Sequence, residues 1–323
     1  MYDLISIGDS GIDNLVAIHD ASLHCFVRKD ECQICFNYAD KILADDFQTK
    51  TAYNAMNNAV GSARLKLKTA FYTVLGGDHN GRRIFDTIKQ EGVDTKYVKT
   101  EKNLRSNASA VINFKGERTI LVYHERFHYI LPRFAPTKWF YLTSMGHYFL
   151  PFYNSFARYV SRKKSKVGFN PGTFQLKAGA QKLKPVLKVA AALFLNKEEA
   201  RLMTRIHDER DIKELLRGMI KLGPKIAVIT DGSKGSFATD GSKFYHSSVF
   251  PVKMIERTGA GDSFATAFVA ALCYGQNIKE ALRWGCVNSA AVIQKIGQQD
   301  GLLTLGTLRS ILKKHSRWQP HAI

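Results

Sequence analysis

The chain has 323 residues, 45% of them hydrophobic, and its 47 Lys+Arg against 28 Asp+Glu give a formal net charge of +19. That length buries a large core, the composition is that of a globular protein, and no apolar run reaches membrane-spanning length, so disordered, fibrous and membrane-embedded classes are excluded. The basic excess attracts anionic partners, but it is dispersed, with short clusters at Arg162-Lys163-Lys164-Ser165-Lys166 and Lys313-Lys314. It therefore points first to a generally basic surface and second to nonspecific nucleic-acid contact. The start Met1-Tyr2-Asp3-Leu4 lacks a signal-peptide profile, so a cytoplasmic location without a membrane partner is expected. Five cysteines, an odd number in a large chain, favour reduced thiols over a disulfide framework.

In chain order, Leu4 to Ile7 reads as a buried first strand ended by Gly8, with Asp13 on the loop that follows. Residues 14 to 50 alternate without a helical period, as in Leu23 to Val27 and Gln33 to Phe36, and suggest strands outside the main core. Here His24, Cys25, Cys32 and Cys35 offer three thiols and an imidazole to a tetrahedral zinc ion, although the spacing fits no standard zinc motif and buried or free thiols are the competing reading. Tyr53 to Leu65 reads as a helix carrying Asn57, Thr69 to Leu75 as a strand, and the segment through Ile84 and Ile88 to Gly92 as a second helix. Val111 to Phe114 and Thr119 to Tyr123 flank Lys115-Gly116-Glu117 as a hairpin.

From Trp139 onward apolar strands alternate with helices. Strands are expected at 139–142, 166–169, 191–195 and 226–230, with helices at 152–160, 197–206 and 212–222. This rhythm implies a mostly parallel sheet covered on both faces, whose ligands bind beyond the carboxyl ends of the strands. The polar residues there are Asp13, Asn170, Asn196, Thr230 and Asp262.

The stretch Glu256 to Phe268 reads as a loop opening a buried helix, with Phe264 and Phe268 on its apolar face and Gly275 just past its end. Backbone N–H groups at Gly259, Ala260 and Gly261 would sit at the positive helix end, where an anion is favoured, beside the carboxylate of Asp262. Phosphoryl transfer to a hydroxyl uses both features, donors for the transferring group and a base for the proton. An ordinary acid in a first helical turn is the plainer reading of Asp262 alone.

Arg257-Thr258-Gly259-Ala260-Gly261-Asp262 resembles the second signature of the ribokinase-like carbohydrate kinases, the PfkB family. Other markers follow in order: Asp13, the Asn57 helix, Gly76-Gly77-Asp78-His79-Asn80-Gly81, Asn196-Lys197-Glu198-Glu199, and Thr230-Asp231-Gly232-Ser233-Lys234-Gly235. The likeness spans nearly the whole chain. It implies a ribokinase-like three-layer α/β/α fold with a mostly parallel central sheet, in one kinase domain over 1–323. A small β-sheet lid would form from about 14–50 and 105–125 and often makes a dimer contact.

Carried onto these residues, the resemblance implies that Asp262 is the general base and that Gly259, Ala260 and Gly261 form the anion hole. Asn196, Thr230, Gly232, Gly235 and Asn288 would belong to the ATP site, Glu199 would organise Mg²⁺ through water, and Asp13 and Asn57 would bind the acceptor. Glu256 stands where many members carry Asp near a monovalent cation, which raises K⁺ as a further cofactor. Two positions depart from the family: Ala52-Tyr53 replaces a Gly-Gly pair ahead of the asparagine helix, and Lys66 replaces a glycine. They imply a reshaped acceptor pocket. Arg105, Asn107 and His124 fall on the lid, where outward orientation is the expected one.

The implied activity is ATP-dependent phosphorylation of a sugar or sugar derivative. A nucleoside kinase, with Tyr53 or Phe36 stacking on a base, is the nearest alternative, a phosphosugar acceptor the next, and a non-catalytic nucleic-acid-binding protein the rival from another class. No Gly-x-Gly-x-x-Gly or P-loop sequence occurs to support a dinucleotide or Walker-type site.

Overall fold

The computed structural model describes residues 1–26, 31–115, 117–206 and 211–323; Val27 and Gly116, named above, lie outside them. From the amino end run β1 (Tyr2–Ile7), β2 (Gly11–Ile18), β3 (Ser22–Phe26), β4 (Glu31–Cys35), β5 (Ala44–Ala52), α1 (Asn54–Arg64), β6 (Thr69–Gly76) and α2 (His79–Gln90). Then come β7 (Asp94–Glu101), β8 (Asn107–Phe114), β9 (Glu117–Tyr123), β10 (Thr137–Leu142), α3 (Phe149–Val160), β11 (Lys166–Phe169), α4 (Thr173–Val189), β12 (Ala192–Asn196) and α5 (Lys197–Thr204). The remainder is α6 (Ile212–Lys221), β13 (Ile226–Thr230), β14 (Ser236–Thr239), β15 (Phe244–Ser247), α7 (Ala260–Cys273), α8 (Ile278–Val292), α9 (Leu305–Lys314) and β16 (His321–Ala322).

The main sheet has the order β16-β15-β14-β13-β12-β11-β10-β1-β6-β7. Its neighbours from β13 to β7 pair in parallel, and β14 to β16 add an antiparallel edge. The central strands are apolar at almost every position because helices cover both faces. Ile5, Ile7, Phe140 and Leu142 face the layer of α3 to α6. Leu4, Trp139 and Tyr141 face α7 to α9, and α1 and α2 cover Phe71 and Leu75. The expected three layers are present. Residues 173–189, which carry no clear period in the sequence, are α4, whose pattern is broken by Gly179 at φ 79° and by Pro185.

The lid is a second sheet of order β5-β2-β8-β9. It begins earlier than the sequence implies, and Asp13 lies inside β2, paired with Lys50 and Ser109, rather than on a loop. The reason is that Gly8 to Ser10 suffice to turn the chain from the main sheet into the lid. β3 and β4 form a separate antiparallel pair in which Cys25 stands opposite Cys32.

That register overturns the zinc reading and, for this pair, the reduced-thiol reading. Cys25 and Cys32 are joined in a disulfide with their Cα atoms 4.0 Å apart, which removes two of the three thiolates a zinc ion would need. Cys35 remains a free thiol opposite Ser22, and no group of three or more metal-binding side chains occurs among the described residues. Among the same residues, no helix is long and apolar enough to cross a membrane.

Candidate active site

The carboxyl ends of the parallel strands open on a cleft of about 390 Å³ lined by Asp13, Ser144, Asn170, Asn196, Thr230 and Asp262, among others. One wall is the start of α7. Gly259 caps that helix at φ 77°, a left-handed conformation that glycine adopts without cost, and a Cβ there would meet Gln298 Cβ at 2.9 Å. The N–H of Ala260 turns back to the Arg257 carbonyl at 3.3 Å. Among the described residues the N–H groups of Gly259, Gly261 and Asp262 have no acceptor, so two of the three expected donors are free and Asp262 stands in for Ala260. They stand at the positive end of a 14-residue helix, a ready anion site.

Asp262 sits in the first turn of α7. Burial pushes its carboxyl up to about 6, against the opposing pull of a hydrogen bond from Asn57 and the charge of Arg118, while the Asp13 carboxylate adds to the rise. Asn57 Nδ2 donates to Asp262 Oδ2 at 2.9 Å and to Gln298 Oε1 at 2.6 Å. Gln298 Nε2 donates in turn to Asp13 Oδ2 at 2.5 Å, and Gln299 Nε2 donates to Asn57 Oδ1 at 3.0 Å. One polar chain thus runs from Asp262 to Asp13. The Asp13 carboxyl is also raised, chiefly by burial, with hydrogen bonds from Ser109 and Gln298 opposing. Nothing in the sequence singles out Gln298 and Gln299, which belong to a turn after α8 that begins at Gly297.

The opposite wall is built by β12 and β13, whose last residues Asn196 and Thr230 are register partners. Asn196 Oδ1 accepts from Glu199 N at 2.8 Å and Glu199 Oε2 accepts from Asn196 N at 2.9 Å, a reciprocal cap on α5. Both also line the cleft. Burial raises the Glu199 carboxyl, the Asn196 N–H opposes, and the charges of Asp262 and Glu198 add to the rise. Gly232 begins a short 3-10 turn after β13, and Gly235 is required by geometry, since a Cβ there would lie 2.1 Å from the Ser247 carbonyl. Neither glycine lines the described cleft.

Asn288 does not line it either. It is fully buried on α8, donates to the Ser263 carbonyl at 2.8 Å and accepts from Leu303 N at 3.1 Å. Its amide is spent on holding the backbone of α7, so the residue that the resemblance assigns to the ATP site offers no free amide to a nucleotide.

The lid closes the acceptor end. Tyr53 lines the cleft with its hydroxyl 3.0 Å from Ser109 Oγ and its ring packed over Gly11. Its φ of 85° and ψ of 149° are values that favour glycine, so Tyr53 occupies a conformation that the Gly-Gly pair implied by the resemblance would adopt without strain. Among the lid candidates, His124 points into the cleft, edge-on to Tyr53 at 5.7 Å and to Phe174 at 5.1 Å, contrary to the outward orientation expected. Arg105 instead lies over the Tyr123 ring, and Asn107 is buried between the Ser10 carbonyl and Glu125 N. Phe36 does not line the cleft. The lid's cation in the cleft is Arg118, unmarked in the sequence, which donates to Thr258 Oγ1, itself bonded to Glu256.

Residues 13–305 match the model of the pfkB family carbohydrate kinases. A ribokinase of Bacillus subtilis (strain 168) is 26% identical over 306 residues, covering 93% of this chain and 99% of that protein. Among solved structures, Arabidopsis thaliana ribokinase complexed with ribose and ATP superposes with a TM-score of 0.80 at 21% identity, covering 97% of this chain and 99% of that one. Methanocaldococcus jannaschii nucleoside kinase, an archaeal member of the ribokinase family, gives a TM-score of 0.80 at 19% identity over 98% and 99%.

Proposed function

The chain belongs to the pfkB family of carbohydrate kinases, and on that premise we propose that it moves the γ-phosphoryl group of ATP to a hydroxyl of a sugar or sugar derivative. The observation that carries this reading is Asp262, a carboxyl that burial raises to about 6, set in the first turn of a helix whose free N–H groups belong to residues lining the same cleft. Asp262 takes the proton of the acceptor hydroxyl. The oxygen then bonds to the γ-phosphorus as the bond to the bridging oxygen breaks, and ADP leaves. The N–H groups of Gly259, Gly261 and Asp262 receive the charge that develops on the transferring group. Asp13 and Gln298 hold the acceptor; Asn57, expected to bind it, lies behind the cleft lining with its amide committed to Asp262, Gln298 and Gln299, and positions these groups instead. Asn196 and Thr230 border the ATP side, with Gly232 and Gly235 shaping the turn beyond it.

The residues fit Mg²⁺ held through water and phosphate rather than in a protein cage. Glu199 brings one carboxylate to the cleft, and no larger acidic cluster accompanies it among the described residues. A bound Mg²⁺ would neutralise phosphate charge there. K⁺ fits less well at Glu256: one carboxylate oxygen accepts from Thr258 and the other from Gly297 N at 3.1 Å, and the Arg118 guanidinium stands alongside.

The aromatic wall of Tyr53, His124 and Phe174 favours a nucleoside as the second reading of the acceptor, since flat rings suit a base. A panel of ribose, fructose, adenosine, guanosine and sugar phosphates, read by Mg²⁺-dependent ADP release, decides between them. ADP release with none of these or with related sugars would remove the kinase reading. We further read residues 1–323 as one kinase unit and the lid's outer face, with Phe47 62% and Leu121 61% exposed, as the contact for a second copy. Sedimentation of wild type and Phe47→Glu tests that contact, and an unchanged mass would refute it.

A further inference from the structure

At the end of the main sheet opposite the cleft, parallel strands begin on lysines. Lys68 precedes β6, Lys138 is the second residue of β10, Lys166 opens β11 and Lys225 precedes β13, and all four are exposed. In the order β13-β12-β11-β10-β1-β6 they lie along one edge, and at about 4.8 Å per strand this edge runs roughly 24 Å. Its middle is hollowed into a cavity of about 820 Å³, whose rim adds Lys96, Arg133, Lys163 and Lys164 and whose floor holds Phe134, Trp139 and Leu272.

Lys138 is paired with Asp3 at 2.8 Å. Among the described residues, Lys96, Arg133, Lys163, Lys164 and Lys166 have no carboxylate within ion-pair distance. Five uncompensated cations around one hollow repel each other, and the cleft, a strand length of roughly 20 Å away, makes no use of them. The aromatic faces are not open to bases. Lys166 Nζ lies 5.5 Å over the Trp139 ring and Lys163 Nζ 5.5 Å over Tyr159, and Trp139 is only 4% exposed. The groove therefore offers charge to phosphates and no stacking platform. A single nucleotide would need the cavity alone, whereas the continuation to Lys68 and Lys225 suits an extended row of phosphates.

We propose that this edge of the sheet binds the phosphodiester backbone of a nucleic-acid strand without reading its sequence. The test is fluorescence anisotropy with a fluorescein-labelled 20-nucleotide poly(U) RNA, and its DNA counterpart, between 50 and 200 mM KCl. With five phosphate contacts the log–log salt slope is about −3.5, an affinity loss of roughly 100-fold over that range. The triple variant Lys163→Glu, Lys164→Glu, Lys166→Glu should bind weakly with a slope shallower by about 2. A charge-matched control, Lys41→Glu, Lys102→Glu, Lys115→Glu, which changes exposed lysines outside the stripe, should bind nearly as wild type. Absence of binding at 50 mM KCl, equal loss in the two triple variants, or full displacement by 1 mM ATP overturns the proposal. Binding to phosphatidylserine vesicles with no binding to either strand would also overturn it, in favour of a membrane surface.

Discussion

Asn57 Nδ2 lies 2.9 Å from Asp262 Oδ2, so a side chain on α1 directly controls the charge of a carboxylate more than 200 positions later on α7. Because the donor favours the ionised form, it holds the carboxyl below the value that burial alone would set.

Replacing the carboxylate isolates its role. Asp262→Asn keeps the shape and loses the base, and kcat should fall about 10²- to 10⁴-fold with the KM for ATP nearly unchanged. Steady-state kinetics with an acceptor found in the panel measures this. A variant at near-wild-type kcat would move the base elsewhere.

The pH profile follows from the raised carboxyl. Log kcat/KM should rise with pH and level off above about 6, where Asp262 becomes ionised. In Asn57→Ala the lost donor raises the carboxyl further, so the acid limb should move to higher pH. An unshifted limb would show that another group governs it.

Stability should respond with a definite sign. The folded-state value of about 6 lies above the ordinary 3.8, so the native state holds the proton more tightly and this contribution is lost as pH rises through 6. Asp262→Asn should therefore melt a few degrees higher than wild type at pH 8, and the gain should disappear near pH 4. Calorimetric scans at the two pH values give the comparison.

Tyr53→Gly sets two effects against each other. Relief of an unfavourable backbone conformation gains about 1–3 kcal/mol, while the ring packed over Gly11 and the bond to Ser109 are lost. The melting temperature should change little, but the opened pocket should shift acceptor preference by tenfold or more across the panel.

Thiol counting tests the β3–β4 pair. Under non-reducing denaturation three cysteines should react with a thiol reagent, Cys35, Cys273 and Cys286, and all five after reduction. A count of five before reduction would return the pair to free thiols.

The layers were legible because buried parallel strands need unbroken apolar runs, and Leu4 to Ile7 or Ile226 to Thr230 can hardly be read otherwise. The residues that meet in the cleft were legible where a strand end or a motif named them. Asp262, Asn57 and Asp13 carried such marks, whereas Gln298 and Arg118 act through contacts that link distant segments and leave no local pattern. Asn288 was placed in the ATP site only by the resemblance, and its backbone partners, which no sequence pattern marks, turn its amide toward α7 instead. The cysteines misled because strand register, which brings Cys25 opposite Cys32, is not contained in their spacing.

Gly259 leaves room for Gln298 to press against the start of α7, and Gln298 reaches both Asn57 and Asp13. The turn at 297–300 is therefore shared property of two functions that could otherwise have diverged separately. A chimera that imports this turn from a relative would inherit a new acceptor preference and a new pH optimum together, and selection for either trait would carry the other with it.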